Sequence, residues 1–521
     1  MELLKTRLFP SPPPSTIVST PLSILDATVA RFSPTGAIWL FDKPGIPING
    51  DRFLSNLQSS FITTLNDFPQ WAGQLQWAPV QQGGPHTHRF NRPMIVYGSD
   101  QDPGVEWKIV RHQEISVQSL APTAAERALG SGIWVGDGFK QGILLSDTVL
   151  PLHNLRDFEG LPAMQVQVNL FNDGGYGVSI RMAHPLADAQ SLMTFVHRWA
   201  GLSRKMFKSD NTNNSLPLPA PPIFDPAQLD SCAAGNIDAS FPDPSLLSQA
   251  RKLPLHRYDW WKTDDPGYPE FLVPTTENSK PAPSQLANVE LSPSTSAPWT
   301  TWDLARPIRY TRLHFTGAQI TSIKQLALLD SGRPGISRLD ALLAHIWILI
   351  NRARGHANST EEVYLNITLG VRPRVSPALP DSFIGSPLFM THVRHPGAAL
   401  CTTSIGKIAT QIRETVTLFT PETIGAMLHD AAYEVSPQRL WQAFLGRRHT
   451  LTTSWLRLGT EKVDFVGEGR RPRYVHAVMP KMDGVMQVMD SGVDGDEGGV
   501  EVALYLDEEV MGRFVDDWVV L

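Results

Sequence analysis

His184 and Asp188 stand four residues apart in Ile180-Arg-Met-Ala-His-Pro-Leu-Ala-Asp-Ala-Gln190. A histidine titrates near neutrality, so its neutral ring can take a proton from a hydroxyl or an amine. An aspartate at this spacing lies about one turn away if the segment is helical. It could hold the imidazole directly, or turn aside and fix the loop by pairing with an arginine. The spacing alone is a weak signal, because a chain with 15 histidines and many aspartates contains it by chance. A metal reading is weaker still. It needs further His or carboxylate ligands at usable spacing, and none stands nearby in the sequence.

Such chemistry needs elements to hold it. Gln165 to Phe171 alternates polar and apolar, Asn172-Asp-Gly-Gly175 reads as a turn, and Tyr176 to Met182 alternates again. That pattern predicts a hairpin. Ala189 to Ala200 predicts a helix with Leu192, Phe195, Val196 and Trp199 on one face. His184 therefore falls where a strand ends and a helix begins, with Pro185 just before or inside the helix's first turn. A junction of this kind holds a side chain firmly and can still open onto a cleft.

A chain of 521 residues implies two to four domains. Hydrophobic content of 42% and charged content of 18% describe a globular protein with a large core. The net charge of −6 offers no footprint for nucleic acid or an anionic membrane. Two cysteines, Cys232 and Cys401, make neither a disulfide framework nor a metal quartet, which fits a reducing, cytoplasmic setting. The first ten residues show no signal-peptide pattern, and no apolar run approaches the ~18–20 residues of a membrane span.

Along the chain, Ala37 to Phe41 reads as a strand and Arg52 to Leu65 as a helix, closed by Pro69 and Gly73. From Lys208 to about residue 305 periodicity fades and Pro, Ser and Asp rise. This stretch reads as a long crossover with mobile pieces near 209–216 and 277–298. Trp260, Trp261 and Tyr268 indicate that part of it packs. Regular structure resumes with a strand at Ile308 to Phe315 and helices at Ala318 to Leu329 and Arg338 to Arg354. Ser337 is the expected N-cap of the second helix and Gly355 its stop. Strands follow at Val363 to Leu369, Arg473 to Met479 and Gly499 to Leu506, then a helix from Asp507 to Asp517. The acidic, Gly-rich stretch Asp490 to Gly499 reads as an exposed hairpin loop. Each half thus mixes strands and helices in an α/β fold, with domains expected at 1–207 and 306–521 and the crossover at 208–305.

Taken together, these motifs resemble the BAHD-type acyltransferases, CoA-dependent enzymes of plant and fungal secondary metabolism. His184 to Asp188 resembles the family's H-x-x-x-D. Leu22-Ser-Ile-Leu-Asp26 resembles its opening LSxLD, and Leu57 to Leu75, ending Trp-Ala-Gly-Gln-Leu, its AGxL segment. Leu342-Leu-Ala-His-Ile-Trp347 is similar to the second-domain A-x-x-W helix. Gly370-Val-Arg-Pro-Arg-Val-Ser-Pro-Ala-Leu-Pro380, with Phe383 and Gly385, is similar to R-x-R…P-x-L-P…(Y/F)xGN. Thr453-Ser-Trp455 and Asp464-Phe-Val-Gly-Glu-Gly469 resemble TSW…DFGWG. The chain departs from the pattern at Ala189, where many members carry Gly, at Ser386, where the family has Asn, and at Val466 and Glu468. The long crossover resembles a fungal branch, the trichothecene acetyltransferase group.

The resemblance implies two domains like chloramphenicol acetyltransferase with a solvent channel between them. Acyl-CoA, acetyl-CoA first, would serve as co-substrate, with a small-molecule acceptor and no permanently bound cofactor. The protein would act as a monomer, without metal, nucleic acid or membrane. His184 would be the general base, needing no covalent enzyme intermediate. Thr453 would be the oxyanion donor, with Ser454 and the Trp455 indole behind it. Asp188 would brace the loop through Arg372 first and Arg374 second. Asp464 would tie a loop near the CoA channel, and Ser337 and Arg338 would meet the pantetheine or phosphates. Two other readings keep the fold. A condensation-type domain would take acyl groups from a carrier protein, but typically has a second His where this chain has Ala183. A non-catalytic binding relative sits badly with an intact His184 and Thr453.

Overall fold

The computed structural model describes residues 2–48, 51–207 and 218–518. Two mixed sheets carry the architecture. The strands of these sheets are β1 (Glu2–Leu8), β2 (Thr35–Phe41), β3 (Val105–His112), β4 (Ile133–Val135), β5 (Met164–Phe171), β6 (Tyr176–Met182), β7 (Ile308–Phe315), β8 (Glu362–Gly370), β9 (Leu388–Pro396), β10 (His449–Ser454), β11 (Tyr474–Ala477), β12 (Val485–Asp490) and β13 (Val500–Asp507). The first sheet runs β1-β3-β5-β6-β2-β11, the second β9-β8-β10-β12-β13-β7-β4. Principal helices are α1 (Ile24–Thr28), α2 (Asp51–Leu65), α3 (Ala189–Phe207), α4 (Gly317–Ser331), α5 (Arg338–Ala353), α6 (Ile405–Thr417), α7 (Pro421–Ala432) and α8 (Glu508–Asp516). No described helix is long and apolar enough to cross a membrane.

The β5–β6 hairpin has the register the alternation predicts, pairing Met164 with Met182 and Leu170 with Tyr176. Yet all eight residues of β5 are buried, polar ones included. The amides of Gln165 and Gln167 donate to the carbonyls of Thr148 and Ile143, at 2.7 and 2.9 Å. The segment before the hairpin therefore covers the face that alternation alone leaves to solvent. The buried amide nitrogens tolerate this because each donates to a carbonyl.

Two strands cross between the halves. β11 comes from late in the chain but pairs with β2, and β4 comes from early in the chain but pairs with β7. The hairpin around the acidic loop therefore joins β12 to β13, not the 473–479 segment, which leaves for the first sheet. Buried charges lock this exchange. Glu501 on β13 takes Arg127 at 2.7 Å and Arg312 at 2.9 Å. The hydroxyls of Tyr310 on β7 and Tyr474 on β11 meet at 2.7 Å.

α5 starts on a capping box between Ser337 and Asp340 and ends before Gly355, whose φ of +78° suits glycine. Of the crossover, 208–217, which holds the expected mobile piece at 209–216, lies outside the described residues. The other piece, 277–298, carries a short helix at Pro283–Leu286 and a strand at Thr295–Ser296. That strand pairs with Tyr258–Asp259, which in turn pairs with Leu440–Trp441. Trp260, Trp261, Trp299 and Phe444 form an apolar cluster that seats the crossover.

Candidate active site

β6 delivers the chain to His184. The Ala183 N–H donates to Ala163 at 2.9 Å, and His184–Leu186 then form a single 3-10 turn. α3 begins only at Ala189, so the His–Asp spacing is spanned by a turn and an extended residue, not by one helical turn. Asp188 is instead the cap of α3: its Oδ1 accepts from Ser191 N at 2.9 Å.

Asp188 is buried and meets Arg372 through both oxygens, at 2.6 and 3.0 Å. Arg372 is itself buried and also donates to the Phe383 carbonyl and the Ser191 hydroxyl. Asp188 N donates to Gly385 O at 2.9 Å. Burial pushes the Asp188 carboxyl up, but the Arg372 charge and hydrogen bonds outweigh it and hold it below its ordinary value. Asp188 thus ties a first-half loop to the second-half stretch 383–385 without bonding the imidazole. Gly385 has a φ of +143° and lies against Asp26, where a Cβ would stand 3.1 Å from a carboxylate oxygen. Both constraints call for glycine.

His184 is half-buried. Its Nδ1 lies 3.1 Å from Ser386 Oγ, and that hydroxyl donates to the His184 carbonyl. Ser386 N donates in turn to Asp26 Oδ1 at 2.6 Å. Burial holds the His184 pKa below its ordinary value, against its own carbonyl and the Asp188 charge, so the ring is neutral at pH 7. The Phe32 ring also meets the imidazole edge-on, with centroids 5.9 Å apart. Phe32 also lines a cleft walled by Thr28 and Arg31 of the first half, 255–257 of the crossover and α7. The cleft is narrow. Its cavity volume is about 50 Å³.

Thr453 is half-buried near the end of β10, and Ser454 beside it is exposed. Among the described residues nothing bonds the Thr453 hydroxyl. Trp455 is 5% exposed and packs into the first-half core cluster that also contains Ala183 and Leu186, on either side of His184. Its backbone N–H donates to the Val488 carbonyl at 2.7 Å.

A family model described as the Transferase family matches residues 145–237 and 271–520, well over half of the chain. The chain belongs to this family, the BAHD-type acyltransferases. Among curated relatives, the acyltransferase AFT15-1 of Alternaria alternata is 28% identical over 85% of this chain and 81% of its own length. The acyltransferase abl6 of Leptosphaeria maculans is 25% identical over the same shares. Among solved structures, TRI101 of F. graminearum, complexed with coenzyme A and deoxynivalenol, overlays with a TM-score of 0.64. It is 14% identical, covering 96% of this chain and 97% of that one. Vinorine synthase overlays at 0.59 with 17% identity, covering 98% and 96%. These two share the two-domain fold.

In this acyltransferase Arg374 does not reach Asp188; it donates to the Val416 carbonyl at 3.2 Å. The reason is geometric. Arg372 and Arg374 belong to one 3-10 turn, two residues apart, and so point to different neighbours. Asp464 folds its own loop, accepting from Val466, Gly467 and Gly469 N–H groups at 2.8 to 3.0 Å. The Ser337 hydroxyl is occupied as the cap of α5, and Arg338 is exposed beside Gly498 of the acidic hairpin loop. Ser337 and Arg338 take these partners away from the His184 loop. Reading the sequence alone gave no role to Asp26, Ser386 or Arg31. Asp26 and Ser386 were visible as parts of motifs. Arg31 carried one faint signal: it is the sole charged residue between Asp26 and Asp42.

Proposed function

We propose that this acyltransferase moves an acyl group, acetyl in the first instance, from acyl-CoA to a hydroxyl or amine of a small molecule. His184 is the general base, and no covalent enzyme intermediate forms. The observation that carries this is the pairing around the ring. Ser386 has one hydroxyl proton, and it goes to the His184 carbonyl. Its oxygen is then left to accept from Nδ1–H, so Nε2 keeps the free lone pair. Low basicity from burial keeps that lone pair unprotonated at neutral pH.

The acceptor proton passes to Nε2 as its oxygen or nitrogen bonds to the thioester carbon. The charge on the carbonyl oxygen meets the Thr453 hydroxyl, with Ser454 and the Trp455 indole behind it. The C–S bond then breaks and the departing thiolate takes the proton from the imidazolium. Asp188, Arg372 and Asp464 keep the loops in place, and Ser337 and Arg338 are proposed to meet the CoA arm. Crystals of TRI101 with coenzyme A and deoxynivalenol support a ternary complex. The test is thiol release from acetyl-CoA with a panel of hydroxylated metabolites. Turnover by wild type and its loss in folded His184→Ala is the expected result. Undiminished turnover in that variant defeats the assignment.

A further inference from the structure

Arg31 lies in the segment between α1 and β2, next to Phe32 and in the wall of the same cleft. Its guanidinium carbon sits 4.9 Å from the Trp260 ring, 4.7 Å from Trp441 and 5.9 Å from Phe32. Nη2 donates to the Leu440 carbonyl at 2.9 Å. Nε and Nη1 are out of solvent and have no partner among the described residues. No carboxylate there pairs with this arginine, although two acidic residues line the cleft. Asp430 is engaged by Arg251 at 3.1 Å and Arg257 at 2.8 Å. Glu434 is engaged by Arg439 at 3.2 Å, Arg257 at 3.8 Å and the Ser292 hydroxyl.

A buried cation with no anion is costly, and aromatic faces offset only part of that cost. Burial pushes the Arg31 pKa down, but the group stays charged at neutral pH. Nη2 carries two hydrogens and Leu440 takes one. The other completes a two-pronged donor face with either Nε or Nη1, which matches a carboxylate. The rest of the wall includes Phe32, Leu255, Met427 and Leu440, all apolar. An occupant must therefore be slim, apolar along its body and anionic at one end.

We propose that the acceptor is a small hydroxylated carboxylic acid whose carboxylate binds Arg31 while its hydroxyl reaches His184. This rests on the reading that the cleft lined by Phe32, whose ring meets His184, takes the acceptor of an acyl transfer. It adds what that reading leaves open, the chemical class of the acceptor. Arg31 here determines specificity and takes no part in proton transfer.

The experiment uses the full chain, acetyl-CoA and matched pairs of probes: 10-hydroxydecanoate, 4-hydroxycinnamate and 3-hydroxybenzoate, each beside its methyl ester. Thiol release is followed in wild type, Arg31→Gln and Arg31→Lys, with thermal melts as the check on folding. Calorimetric binding of the same probes is measured in parallel. At least one acid is expected to turn over, with kcat/KM at least about 100-fold above its ester. Arg31→Gln should remove that preference, mainly by raising KM, and change the ester less than about threefold. Arg31→Lys should restore part of the preference, and it carries the test if Arg31→Gln does not fold. Turnover of esters as good as that of acids, or an equal loss for both in Arg31→Gln, overturns the proposal and leaves the acyltransferase reading standing. Acids that bind through Arg31 with no thiol release from any acceptor overturn the acyl-transfer reading and leave the anion site standing. Binding of none of the acids overturns the proposal.

Discussion

Two buried carboxylates grip the stretch around Gly385, and their surroundings drive them in opposite directions. Asp188 faces a full positive charge, Arg372, and is held below its ordinary pKa. Asp26 faces only neutral donors: Ser23 N at 3.0 Å, Ser23 Oγ at 2.6 Å and Ser386 N at 2.6 Å. Burial pushes its carboxyl up to about 7 in spite of them. Three dipoles orient a buried carboxyl but do not replace the water it has lost; a guanidinium does. One side of the His184 loop is therefore an ion-pair brace, insensitive to pH near neutrality. The other is a hydrogen-bonded brace that titrates there.

The proposed base, His184, beside which both braces stand, is the first thing to remove. His184→Ala should lower turnover by at least ~10²–10⁴-fold, the usual worth of a general base, with the melting temperature nearly unchanged. Loss of folding along with activity would mean that the ring is part of the brace itself. Next comes the ion pair. Arg372→Met leaves Asp188 buried without its cation and should cost about 3–5 kcal/mol in urea unfolding. A cost below about 1 kcal/mol would show that water reaches the carboxylate.

Asp26 should reveal itself through pH. Its folded pKa lies above the ordinary aspartate value, so the native state holds a proton that the unfolded chain releases. Its contribution is full below about pH 4 and declines as pH rises to about 7. Asp188 has the opposite sign: its contribution is present at neutral pH and disappears only in strong acid. The difference in unfolding free energy between wild type and Asp26→Asn should therefore change across pH 4–7, by on the order of a few kcal/mol at most. A flat difference would show that Asp26 is ionised throughout.

The acid limb of kcat/KM should fall below pH 6.5, because burial lowers the His184 pKa. A limb at or above that value would show the ring more open to water than its neighbours imply. The smallest effect is expected from Arg374→Ala. This removes one bond to a carbonyl from a partly exposed arginine, so it should cost under about 1 kcal/mol, far less than the change two residues before it.

Much of this was readable in advance. The β5–β6 hairpin, α2, α5 with its Ser337 cap, β7 and β13 all follow from local periodicity and capping. Those are short-range effects that a window of residues contains. What was not readable depends on distant partners. The polar positions of β5 predict an exposed face, and only the packing of the preceding segment hides it. The 473–479 strand predicts a local hairpin, but its pairing energy is realised against β2, hundreds of residues away. The crossover lacks periodicity because its tryptophans pack as a cluster rather than along a face.

The His184–Asp188 spacing, the nearby strand and helix, and the pair of arginines at 372 and 374 were all encoded within short stretches of chain. Those stretches sufficed to name the family and to propose a proton acceptor. Tertiary structure alone decided which arginine meets Asp188, that Ser386 and Asp26 stand behind the imidazole, and that Arg31 is left without an anion in the cleft that Phe32 lines. The physical reason is the same in each case. Hydrogen bonds, ion pairs and burial depend on which groups come within a few ångströms of one another, and sequence separation does not determine that distance.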